Sequence, residues 1–178
     1  MLGLRAGSRR VQGWLAAGLA GLSLFAADGP DRMAFDAALR SFSIGAYGRA
    51  AEEFAAFSSQ FPDSPLKADA ARRSLYSRAE ADAARGDFAA AQKTFGLYLS
   101  QFPGSDLALR ASVRRAEALF RSGEPGAAAA LLDQADGAFA RALAEGRPAD
   151  LLLAGSMVAA QAHLAAGDGA RARASVSA

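Results

Sequence analysis

Apolar residues recur at three- and four-residue intervals along most of the chain, the spacing that gathers them on one face of an α-helix. Ala50, Phe54, Phe57 and Phe61 form one such series, and Ala91, Phe95, Tyr98 and Phe102 repeat it 41 positions later. The pattern predicts helices over 31–44, 46–60, 65–85, 88–101, 105–121, 125–145 and 149–166, with a last piece from 169. Polar and special residues punctuate them. Gly45, Gly86, Gly123 and Gly167 each end a helix, where a left-handed backbone suits glycine. Pro62 and Pro103 stop the helices that begin after Gly45 and Gly86. Ser64 with Pro65, and Ser105 with Asp106, are then expected to cap the next helices.

The blocks are copies of one another. Gly45 to Ser64 and Gly86 to Ser105 align without a gap, and weaker copies start at Gly123 and Gly167, giving spacings of 41, 37 and 44. Alanine five residues after each glycine lets two helices approach closely, and the aromatic residues beyond it fill the space between them. The third copy departs from the pattern, with Pro125 in the aromatic position and no proline directly after Phe139. Its second helix is expected to be long, ending at Gly146-Arg147-Pro148.

In their order of glycine, aromatic, alanine, aromatic and proline, these landmarks resemble the tetratricopeptide repeat over residues 31–178. The Phe-Pro-x-Ser links and long periods are similar to repeats of the periplasmic Tol–Pal coordinator and of outer-membrane assembly lipoproteins. The resemblance implies an all-α solenoid of antiparallel helical hairpins, about three and a half motifs long. It also implies a concave groove lined by the first helix of each hairpin. Carried over through the glycines, the groove positions are Arg73, Tyr76 and Glu80 in the second motif, and Arg110, Val113, Glu117 and Arg121 in the third. The first motif offers Arg32, Phe35 and Leu39, and the fourth Met157 and Gln161. The plainer reading of the same Arg and Glu residues is that they solvate the helices and pair with one another.

Composition agrees with helices: 48 of the 178 residues are alanine, the best helix former. There is no cysteine, which excludes a disulfide framework, thiolate metal sites and a lipid-anchored cysteine. The formal charge of +2 is misleading. Arg5, Arg9 and Arg10 precede residue 28 and no acidic residue does, so the remainder sets 17 basic against 18 acidic side chains, a net of −1. That balance argues against a nucleic-acid partner.

The same three arginines open an export signal over residues 1–27. The uncharged apolar run Leu15–Phe25 follows them, then Ala26-Ala27 as a cleavage site and Asp28-Gly29-Pro30 as a helix breaker. An uncleaved anchor is the alternative, because Val11–Ala27 is 17 uncharged residues long, at the short edge of a spanning helix. The expected address is the periplasm of a Gram-negative-type bacterium, or its inner membrane if the segment is kept.

Candidate chemistry is sparse. His163 is the single histidine, expected in a packing or surface role, and no phosphate-binding glycine loop occurs. Glu52, Glu53, Glu80, Asp82 and Glu117 are expected on solvated helical faces. No cofactor or metal is called for, and the expected function is a non-enzymatic scaffold binding a protein or peptide. The alternatives are the helical arm of a larger exported enzyme, as in lytic transglycosylases, and a membrane-anchored assembly factor. Residues 28–178 form one repeat domain whose last motif looks incomplete. Leu151, Leu152, Leu153, Met157 and Val158 then need cover, and self-association through that edge is expected.

Overall fold

The computed structural model describes residues 29–146 and 149–177; the expected export signal lies outside them. Among the described residues the protein is all-helical, with nine α-helices: α1 Pro30–Ser43, α2 Tyr47–Gln60, α3 Lys67–Ala84, α4 Phe88–Gln101, α5 Ala108–Arg121, α6 Pro125–Leu132, α7 Ala138–Glu145, α8 Ala149–Ala165 and α9 Gly169–Ser175. Consecutive helices pack as neighbours from α1 to α6, then α6 against α8 and α8 against α9. No described helix is long and apolar enough to cross a membrane.

The four glycine turns share one geometry. Gly45, Gly86, Gly123 and Gly167 have φ of 75°, 80°, 91° and 83°. In each turn the residue after the glycine donates its N–H to the carbonyl five positions back, as in Asp87 to Asp82 at 3.0 Å and Asp168 to His163 at 2.8 Å. That closes the helix end and reverses the chain within three residues. The alanines five residues on are buried: Ala50, Ala91 and Ala128 are 0% exposed.

Between the helix pairs the structure differs from the expected capping. α3 and α5 begin at Lys67 and Ala108, two or three residues late, because Ser64–Leu66 and Ser105–Leu107 close tight turns first. The serine hydroxyls serve these links. Ser64 Oγ donates to Asp31 at 2.7 Å while accepting from Leu66 N–H, and Ser105 Oγ bonds the Tyr98 hydroxyl at 2.8 Å.

The expected helix 125–145 is two helices. α6 stops at Leu132, a turn from Gln134 to Gly137 follows, and α7 restarts at Ala138. Asp133, Asp136 and Gly137 are poor helix-interior residues. The break lets α7 fold against α5 and α8, burying Phe139 to 4% exposure.

Three hydrophobic clusters follow the chain in order. Phe35, Phe54 and Phe57 centre the first, Tyr76, Phe95 and Tyr98 the second, and Val113, Leu119, Leu132 and Phe139 the third. Edge-on and tilted ring contacts link Phe35 to Phe102 without interruption. Tyr76 is their hub, 5.6–6.4 Å from the rings of Phe42, Tyr47, Phe95 and Tyr98.

Candidate functional site

Helices α3 and α5 are the first members of the second and third pairs, and they carry most of the sequence-predicted site. Lys67, Arg72, Arg73 and Arg78 oppose Asp69, Glu80 and Asp82 on α3; α5 sets Arg110, Arg114, Arg115 and Arg121 against Glu117 alone. The two helices are tied together by charge at two points.

At one point Asp106, just before α5, meets Arg72 at 2.9 Å and Arg73 at 3.5 Å, while Asp69 holds the same two arginines from within α3. Burial raises the Asp69 pKa, but the hydrogen bonds from Arg72 and Arg73 outweigh it and keep the carboxyl below the usual carboxylate range. The Arg73 guanidinium also lies 5.5 Å from the centre of the Phe42 ring.

At the other point Glu80 is 4% exposed and fully engaged. Arg114 grips it from α5 through Nε, 3.0 Å from both carboxylate oxygens, and through a second nitrogen at 2.7 Å. Tyr76 donates its hydroxyl to Glu80 at 2.7 Å, and Arg114 also reaches Glu117 at 2.5 Å. Burial, then the Glu80 charge, pushes the Tyr76 phenol far above its ordinary pKa, so it remains a proton donor. Half-buried Tyr47 shifts upward for the same two reasons. Burial opposes the Arg114 charge, but the bonds to Glu80 prevail and raise its pKa. The arrangement is a charge-compensated seam over an aromatic floor.

The predicted positions therefore divide. Arg73, Glu80 and Glu117 lie in the seam and Arg121 sits 5.0 Å over the Phe88 ring. Tyr76 and Val113 are 0% and 4% exposed; they hold helices together and present no surface to a partner, which corrects their placement in the groove. Glu80 and Asp82 are likewise buried, not solvated, because arginines follow them into place. Of the seven, Arg110 and Arg121 are exposed with no ion pair among the described residues, and the charge of Arg110 lowers the pKa values of Tyr47 and Tyr76 against the opposing effects. Of the first-motif positions, Phe35 is buried and Arg32 pairs with Asp36.

Arg114, Arg72 and Asp106 were not singled out by the repeat register. Arg114 has no arginine counterpart 37 residues earlier, where Ser77 stands, so register alone passes over it. The three-residue spacing from Arg114 to Glu117 was the available signal.

Two grooves lie elsewhere. One of about 410 Å³ crosses α2, α3 and α4 between Ser58, Ser74, Arg78 and Leu97. The other, about 320 Å³, runs between α7 and α9 and is closed by buried His163, whose ring meets Asp133 at 3.3 Å. Among the described residues no group of three His, Cys, Asp or Glu side chains is placed to hold a metal ion. No family model, curated protein or solved structure matches this chain.

Proposed function

We propose that the chain is a tetratricopeptide-type scaffold of the bacterial cell envelope that holds a protein or peptide partner against its α3–α5 face. The observation that carries this reading is Arg110. Arg72, Arg73 and Arg114 are paired with carboxylates in the seam, whereas Arg110 faces solvent on α5 with no ion pair among the described residues. An exposed, unpaired cation on a rigid helical surface suits a carboxylate-bearing segment of a partner. Four matching glycine turns, with an alanine at each close helix approach, support the repeat assignment. The basic and apolar run of residues 1–27 supports export.

The test is capture from an envelope extract by the mature chain, read at rising salt. A partner held through Arg110 is retained at about 50 mM salt and sheds as screening shortens toward about 0.5 M. Arg110→Glu should cut retention at least tenfold, and Arg173→Glu, on exposed α9, should leave it intact. Equal retention by wild type and Arg110→Glu would exclude this face. Amino-terminal sequencing of the exported protein tests the address.

A further inference from the structure

The groove across α2, α3 and α4 lies on the far side of α3 from the charged seam. Ala71, Ser74, Leu75 and Arg78 give it one face of α3, at the i, i+3, i+4 and i+7 spacing of a helical stripe. The seam residues Asp69, Arg73, Tyr76 and Glu80 fall two positions before or after these, about 200° round the helix. The groove holds about 410 Å³, within the span of ligand clefts, about 300–1,000 Å³. Half-buried Leu75 and Phe102 line it, and Leu97, 44% exposed, adds an apolar side chain from α4.

Arg78 is the one charged side chain lining the groove among the described residues, and it is exposed with no side-chain hydrogen bond or ion pair there. The next repeat shows why it stands free. Its counterpart 37 residues on, Arg115, lies flat against Gly96, whose missing Cβ would sit 3.1 Å from the guanidinium carbon. One repeat earlier the Gly96 place is taken by Ala55, whose methyl group fills that seat. Arg78 is left exposed, whereas Arg115 is half-buried. The other polar groups narrow the occupant. Ser58 Oγ donates to the Phe54 carbonyl at 3.1 Å and Ser74 Oγ to the Ala51 carbonyl at 2.9 Å, so both hydroxyls have only acceptor capacity left. The Gln101 side chain has no hydrogen bond among the described residues and offers both a donor and an acceptor. A fatty anion brings no donor for the serine oxygens. A peptide brings backbone N–H groups, and an acidic one adds the carboxylate that pairs with a guanidinium. Large apolar side chains on either side of that acid cover Leu75, Leu97 and Phe102. We propose that this groove is a second docking site, which takes a short segment of a partner protein carrying an acidic residue flanked by large apolar ones. It uses none of the seam's residues and does not depend on Arg110.

Panning a displayed library of random heptapeptides on the full chain should enrich sequences with Glu or Asp between large apolar residues. The enriched peptides, made with blocked ends and a fluorescent label, are then the probe for anisotropy titrations. Arg78→Glu, at an exposed position without a partner, should weaken their binding about tenfold or more. Leu97→Ser should weaken it about tenfold by removing apolar contact. Both variants should keep the helical circular dichroism and the melting transition. Arg110→Glu should leave these affinities unchanged, which separates this site from the α3–α5 face. Binding that ignores Arg78→Glu, or that falls equally with Arg110→Glu, overturns the proposal, as does enrichment of basic peptides or of none. Dodecanoate bound through Arg78, with no peptide enriched, would assign the groove to a fatty anion and equally overturn it.

Discussion

The ring of Phe139 in α7 lies directly on the backbone of Gly155 in α8: a Cβ at Gly155 would overlap its edge and sit 2.7 Å from Cζ. The contact uses the missing side chain as a slot, and it is where the short α7 joins the bundle. Glycine inside a helix ordinarily costs about 1 kcal/mol relative to alanine. Here packing outweighs that propensity.

Gly155→Ala should therefore destabilise the protein, by about 1–3 kcal/mol as overpacking of this kind does. Gly48→Ala is the contrast. Gly48 lies inside α2 with nothing within 4 Å of its missing Cβ, so alanine there should stabilise by up to about 1 kcal/mol. Urea unfolding of both variants checks the opposite signs.

Arg114→Ala strands the Glu80 carboxylate, whose side chain is 5% exposed. Removing one partner of a buried pair costs about 3–5 kcal/mol, and the one-third exposure of Arg114 puts the expected loss at the lower end. Adding Glu80→Gln to Arg114→Ala should recover part of the loss, since an uncharged amide still accepts from Tyr76. A double variant no more stable than Arg114→Ala would contradict the charge argument.

Phe95→Ala opens a cavity in the second cluster, where Phe95 is 0% exposed, and should cost about 3–5 kcal/mol. Ala91→Leu forces three more carbons into an equally closed site and should cost about 1–3 kcal/mol. Thermal melts of the two variants report both.

Asp69 gives an acid dependence. Its folded pKa lies below the unfolded value, so its contribution to stability is complete above about pH 4 and is lost as pH falls through the depressed folded value. Asp69→Asn should be less stable than wild type at pH 7, and the gap should close as pH falls through the depressed folded value. Denaturant midpoints measured across that range check the sign.

The helices and their turns were readable because glycine, proline and apolar spacing act locally. All four glycine turns and the buried alanines after them follow from that local code. The break at Asp133 was missed because alanine and leucine on both sides favour continuing the helix, and the pull of Gly155 on Phe139 comes from a segment far along the chain. The candidate site was half legible. Register located Arg73, Glu80 and Glu117, yet it set Tyr76 and Val113 in the groove, since similarity between repeats does not say which way a side chain points. Arg114 escaped because its partner Glu80 is 34 residues away.

The linked rings running from Phe35 to Phe102 have a mechanical consequence. Aromatic side chains lock α1 to α4 edge to face, whereas alanine and leucine do most of the filling beyond Phe102. The two halves therefore differ in how they yield. Pulled by its ends, or warmed slowly, the molecule gives way from the α8–α9 side first, and the ring-stitched half keeps its amide protons longest in deuterated water. A chain built from near-copies of one unit thus unravels in a fixed direction.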